Sequence, residues 1–148
     1  MAGQFEATVE ISRPVEEVFA FLADRRNDPE FSPRVQEITK TPDGPTTVGT
    51  VFTSTVKDAG MKTGRKFRIT EFEAPRRIRW TEISKNVVTA DEGGYDLEST
   101  GAGTTRVRIF NVLEGHGIGK LLVGFALGAA RKDANAFGQR IKAAVEAS

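Results

Sequence analysis

Residues 115–148 read GHGIGKLLVGFALGAARKDANAFGQRIKAAVEAS, and they decide the architecture. This is the one segment long and periodic enough for a helix of many turns. The chain ahead of it, after one short helical insert, runs in the two-residue rhythm of strands. At about 100° per residue, Ile118, Leu122, Phe125 and Ala129 fall on one apolar stripe, and Phe137, Ile141, Ala144 and Val145 on a second. The second stripe is rotated by about 100° from the first. That predicts either a bend near Gly128 or Gly138, or two halves that face different partners. Gly124, Gly128 and Gly138 each cost about 1 kcal/mol relative to alanine in a helix interior. They need a reason: a strand that comes close, or space left unfilled beside the helix. The run LLVGFALGAA is far shorter than the roughly 20 apolar residues of a membrane span.

The 148 residues, 39% hydrophobic and 28% charged, describe one globular domain over 1–148 with a proper core. A net charge of +1 gives no bulk attraction to nucleic acid or an anionic membrane. With no cysteine there is no disulfide, no thiolate nucleophile and no Cys-based metal site. The opening MAGQFEATVEIS lacks a basic region followed by an apolar run, so no secretory signal is read and a cytoplasmic protein is expected.

In Gln4–Ile11, Phe5, Ala7, Val9 and Ile11 alternate with Glu6, Thr8 and Glu10, a half-buried strand. Ser12 stands as a helix cap, Pro14 at an early helical position, and Glu16 and Glu17 where the helix dipole favours carboxylates. Val15, Val18, Phe19 and Leu22 share a face, predicting an amphipathic helix over Pro14–Ala23. DRRNDPEFSP, broken by Pro29 and Pro33, holds at most one more turn. Its isolated Phe31 either plugs the core beneath the loop or flanks a cavity entrance. Strands follow over Arg34–Thr41 up to the turn TPDGP, Val48–Lys57, Arg65–Glu73 and Arg76–Ser84. Two more lie within Asn86–Ser99 and over Thr104–Glu114. DAGMKTG (58–64) reads as a hairpin connection, and Gly93–Gly94 as a bulge or bend. Strands at this spacing make an antiparallel meander. The fold class is therefore α+β, one curved antiparallel sheet around a long carboxy-terminal helix, with a ligand-sized cavity between them.

Five segments carry a family resemblance: EATVEISRPVEEVFAFLAD (6–24), VGTVF (48–52) after the PDGP turn, ITEFEAPRRIRW (69–80), YDLESTGAGTTRVRI (95–109) and FGQRIKAAVE (137–146). In this order and spacing they resemble the polyketide cyclase/dehydrase and lipid-transport family. That family belongs to the START-like (SRPBCC), birch-pollen-allergen-like helix-grip superfamily. The resemblance implies a seven-stranded antiparallel sheet gripping the last helix, and a mostly apolar cavity for a lipid, polyketide or other hydrophobic molecule. It implies no single reaction, because the members include aromatase/cyclases, hydroxylation-linked enzymes and carriers. No catalytic motif of the cyclase branch matches residue by residue, so none is carried over.

Candidate site residues come from the inward faces of the strands. If Trp80 faces the helix, Ile78 and Glu82 do too. By the same alternation Tyr95 pairs with Leu97, and Ile109 with Val107, Asn111 and Leu113. A few polar groups in an apolar cavity is how small-molecule sites are usually built. The expected ligand lies between Leu121, Phe125 and Ala129 of the helix and Ile78, Trp80, Tyr95, Leu97, Ile109 and Asn111 of the sheet. Leu121, Phe125 and the glycines form an adjustable wall, with Gly128 as its gate. Glu82 and Asn111 lie near strand ends, where a slip turns them to solvent, and a solvent-facing Glu82 is the expectation. A buried Glu82 would instead be raised in pKa by desolvation and able to act as acid or base.

His116 is the only histidine, no HExxH pair exists, and GHGIGK lacks the spacing and Ser/Thr of a phosphate loop. No metal site and no cofactor are expected. His116 reads as an exposed hinge residue, or else as a base beside Glu114. Arg77, Arg79, Arg106 and Arg108 fall on the outward face, solvated and balanced by Asp96 and Glu98, rather than on a nucleic-acid surface. The leading function is carriage or sequestration of a hydrophobic small molecule. An alternative is a cyclase or dehydratase acting through Glu82, Tyr95 or Asn111. A third is an interaction module forming a homodimer through the outer sheet face or the helix glycines.

Overall fold

The computed structural model describes residues 2–58 and 60–148. Strand β1 (Ala2–Ile11) leads into helix α1 (Val15–Ala23) and a 3₁₀ turn (Arg25–Glu30). Six strands follow: β2 (Val35–Thr41), β3 (Val51–Asp58), β4 (Met61–Glu73), β5 (Arg77–Glu82), β6 (Val88–Gly101) and β7 (Thr104–Gly115). Helix α2 (Gly119–Ala147) closes the chain. The seven strands form one sheet in the order β1-β7-β6-β5-β4-β3-β2, every pairing antiparallel. This is the helix-grip α+β architecture. The meander explains most of the order, and the one long-range step is β1 returning to pair with β7, Phe5 opposite Asn111 and Val9 opposite Val107.

Helix α2 packs chiefly on β1 and β7. From its second turn on, the buried residues Val123, Leu127, Ala134, Gly138, Ile141 and Val145 fall within about 60° of one another at 100° per residue. One stripe therefore holds the helix from there to its end. The stripe read from Ile118, Leu122, Phe125 and Ala129 lies on the opposite side, and Leu121 and Phe125 are 77% and 81% exposed. The physical reason is local: LLVGFALG is apolar all round, so periodicity has no contrast there. Among the glycines, Gly138 does pack on a strand, where a Cβ would sit 3.6 Å from Val9 and 3.7 Å from Ala7. Gly124 and Gly128 face open space.

Three local expectations change. Pro14 rather than Ser12 is the amino-terminal cap of α1, with no side-chain hydrogen bond; the Ser12 backbone N–H donates instead to Glu146 Oε2 at 2.8 Å. Of the expected 58–64 connection, Ala59 lies outside the described residues, while β4 begins at Met61 and Gly64 pairs with Thr55 inside the strand. The β6–β7 register slips between Ala90 and Glu92 and not at Gly93–Gly94.

On the outer sheet face the arginines are balanced, as their alternation predicts. Asp96 takes Arg79 at 2.8 Å and Arg108 at 3.1 Å, Glu6 takes Arg108 at 2.7 Å, and Arg106 reaches Glu98 at 3.6 Å. Phe110 lies beneath Arg79 and Arg108, 4.8 and 4.6 Å from their guanidinium carbons.

Candidate functional site

The inner sheet face is divided. Toward one end Ile78, Leu97 and Val107 pack with Ile11, Val18, Ile141 and Val145 into solid core. Toward the other end the sheet and α2 part, leaving a cavity of about 610 Å³. Its floor is Trp80, Glu82, Tyr95, Ile109, Asn111 and Leu113. Phe52, Ser54, Arg65 and Phe67 of β3 and β4 form one side, and Ala126, Ala129, Ala130 and Phe137 of α2 form the roof. Three of these four roof residues are alanines, small enough to leave the space between helix and sheet open. Exposed lining residues (Pro33, Arg34, Ala129 and Asp133) mark the mouth, between the loop after the 3₁₀ turn and the helix.

Of the residues expected to meet a ligand, Trp80, Tyr95, Ile109, Asn111 and Ala129 line this cavity. Ile78 and Leu97 share their face but lie in the closed half, buried behind the cavity. Leu121 and Phe125 stand on the solvent side of α2, and Gly128 points into open space, so neither the wall nor the gate is built from them. Phe31 combines both readings. It is buried, its ring centroid is 5.8 Å from Phe137 and 6.5 Å from Phe21, and it also lines the cavity. Arg140 ties its loop to α2 by donating from Nε to the Phe31 carbonyl at 2.9 Å and by pairing with Asp133 at 2.8 Å.

Trp80 and Asn111 depend on Gly93. The Trp80 Nε1–H donates to Asn111 Oδ1 at 3.1 Å, across the position where any Cβ on residue 93 would collide with both groups. Glycine is required here by close approach. Tyr95 stands edge-on to Trp80, centroids 5.2 Å apart.

Glu82 is buried, against the expectation of a solvent-facing side chain, and its side chain is 0% exposed. Arg65 Nη1 donates to both carboxylate oxygens at 3.0 Å. Ser84 Oγ at 2.6 Å, Asn86 Nδ2 at 2.9 Å and the Ala90 N–H at 2.9 Å complete its surroundings. A carboxylate so fully occupied fixes Arg65 in the cavity side and joins β4, β5 and β6. Both of its oxygens accept hydrogen bonds from the protein itself.

The composition of DRRNDPEFSP hid a second polar group. The 3₁₀ turn directs Arg25 and Asp28 inward, and both line the cavity. Arg25 donates from Nε and Nη2 to Asp28 Oδ2 at 2.9 Å each. Burial pushes the Asp28 carboxyl up, against the pull of Arg25. Burial also pushes the Tyr95 hydroxyl well above its ordinary range, with Asp28 adding to the effect and Arg25 opposing it. The only sequence sign was a charged pair at i,i+3 beside an isolated aromatic, a pattern common on solvated surfaces.

His116 is exposed, with Nε2 2.8 Å from Thr89 Oγ1, whose hydroxyl donates to Asp91 Oδ1 at 2.7 Å. None of the three lines the cavity. Among the described residues no helix is long and apolar enough to cross a membrane.

Comparisons with known proteins agree with this fold. The fold is similar to that of the Zhui aromatase/cyclase from Streptomyces sp. R1128, with TM-score 0.81, 17% identity, and coverage of 99% of this chain and 94% of that one. A START superfamily protein from Mycobacterium smegmatis gives TM-score 0.71 at 16% identity over 97% of both chains. Ara h 8.0201 gives 0.69 at 16% identity over 100% of both. At such identities the likeness is one of fold. No curated protein sequence matches the chain. Residues 2–146 match the family described as polyketide cyclase/dehydrase and lipid transport. With nearly its whole length so matched, and with the sheet and helix that the family's fold requires, the chain belongs to the polyketide cyclase/dehydrase and lipid transport family.

Proposed function

We propose that this protein binds a hydrophobic small molecule, a lipid or a polyketide-like compound, in the cavity between the sheet and α2. The observation that carries the reading is the cavity itself. About 610 Å³ bordered by Trp80, Phe52, Phe67, Ile109, Leu113 and the α2 alanines lies within the usual range of small-molecule sites, roughly 300–1,000 Å³. Trp80, Tyr95, Ile109, Asn111 and Ala129 contact the ligand, and Ile78 and Leu97 support that surface from behind. Carriage or sequestration in the cytoplasm is favoured over catalysis, since the cavity carboxylates Glu82, Asp28 and Asp133 are each engaged by an arginine.

The experiment is native mass spectrometry and solvent extraction of the purified protein, followed by titration with fatty acids and aromatic polyketides. Trp80, the only tryptophan, reports on the cavity floor. A retained ligand, or saturable quenching of Trp80 that is lost when the cavity is filled by Ala130→Phe, is the expected result. No retained compound and no saturable change with either ligand class would refute the reading.

A further inference from the structure

One group in the cavity wall is chemically incomplete. The Arg25 guanidinium lies between two rings, its carbon 4.7 Å from the Phe67 centroid and 4.5 Å from that of Trp80. Asp28 takes Nε and Nη2. The remaining nitrogen, Nη1, is buried and has no hydrogen-bond partner among the described residues. Folded proteins leave few buried donors unpaired, and each such group needs an explanation.

The Tyr95 hydroxyl is a second donor on the same cavity. Its ring packs edge-on against the same Trp80. Burial and the neighbouring charge of Asp28 push the hydroxyl's proton affinity up, with Arg25 opposing. Held protonated, it is a donor. Nη1 is a donor by nature. The ion pair beside them already has its counter-charge in Asp28, so a ligand carboxylate would bring a second negative charge into one desolvated space. A neutral acceptor brings none. Trp80, Phe67 and Phe52 line the cavity beside it and give it an apolar wall.

We propose that Arg25 Nη1 and the Tyr95 hydroxyl form a polar end wall that receives a neutral carbonyl oxygen of an otherwise apolar, ring-bearing ligand. The proposal rests on the cavity being a binding site, and it adds what the ligand must carry. Arg25 and Tyr95 are thus specificity determinants: the surrounding apolar wall supplies affinity, and these two donors choose among ligands of equal apolar area.

Three rigid tricyclic probes separate the possibilities by isothermal titration calorimetry. Fluorene has no oxygen, fluorenone carries one neutral carbonyl, and fluorene-9-carboxylate carries a negative charge. The wild-type protein should bind fluorenone about tenfold tighter than fluorene, and the carboxylate more weakly than fluorenone. Tyr95→Phe, which leaves the ion pair intact, should cut the fluorenone preference to about threefold or less. Arg25→Met should abolish the preference altogether. Equal affinities for fluorene and fluorenone would overturn this proposal and leave the cavity reading standing. So would a preference that survives in both variants, or a carboxylate that binds more tightly than the ketone. Failure of all three probes to bind would overturn the cavity reading, and this proposal with it.

Discussion

Gly93 is small, yet the fully buried Trp80 and its hydrogen-bond partner Asn111 are organised around it. A methyl group there meets Asn111 Oδ1 and the Trp80 indole, and neither can retreat into the packed strand behind it. Gly93→Ala is therefore expected to lose about 1–3 kcal/mol of stability, seen as a lower urea midpoint with unchanged slope. Gly103→Ala, with nothing within 4 Å of the added carbon, should stay within about 0.5 kcal/mol of wild type. Glu82 makes the complementary case. Replacing it with leucine strips Arg65 of its carboxylate, leaving it the Val88 carbonyl at 3.1 Å, and leaves the Ala90 N–H without that acceptor. A loss of about 3 kcal/mol is expected by the same measurement, reduced somewhat because Arg65 keeps partial contact with water. Had Glu82 been a free acid, the change would cost activity and spare stability.

At the scale of elements, α2 presents three faces to three environments. Val123, Leu127, Ala134, Ile141 and Val145 hold the sheet, Ala126 and Ala130 roof the cavity, and Leu121 and Phe125 face solvent. The faces give opposite forecasts for similar substitutions. Leu127→Ala should cost about 2–4 kcal/mol through the cavity it leaves, whereas Phe125→Ser should change stability by about 0.5 kcal/mol or less. Gly128→Leu should leave ligand affinity unchanged, and Gly128→Ala should raise stability by about 0.5–1 kcal/mol, since an exposed helical glycine is being replaced. Ala130→Phe should weaken ligand binding at least about tenfold by occupying the space that the roof leaves open. Parallel titrations of the two helix variants check the assignment of faces.

Across the whole molecule, Asp28 couples the cavity to pH. Its folded pKa is raised above the ordinary value of 3.8, chiefly by burial. Between 3.8 and the raised value the native state binds more protons than the unfolded chain, so stability falls as pH rises through that window and is level above it. Asp24, Asp133 and Glu146 are lowered by their hydrogen bonds to Arg26, Arg140 and Lys142. Their contribution has the opposite sign, present above the ordinary carboxylate value and lost as pH falls through the lowered one. It is small because these groups are solvent-screened. Urea titrations of wild type and Asp28→Asn from about pH 4 to pH 8 isolate the buried group. Wild type should lose stability relative to the variant as pH rises. A difference independent of pH would contradict the assignment.

Residue order alone carries the strand rhythm, the position of α1, the long helix and the family. It also determined which sheet residues share the inner face, because alternation is local and needs no partner: Ile78, Trp80 and Glu82 do fall together, as do Tyr95 and Leu97. Glu82 was legible as inward by alternation, but its burial depended on Arg65, Ser84 and Asn86 converging from outside its own strand. The tertiary structure alone decided where along that face the core stops and the cavity begins, which separates Ile78 and Leu97 from Trp80 and Tyr95. It also decided which side of α2 is roof, since a segment apolar all round carries no phase and only β1 and β7 select one. Arg25 and Asp28 were illegible for a related reason. A charged pair in a proline-broken turn is ordinary on a surface, and only the turn's seat against Trp80 and Phe67 makes it part of a cavity wall.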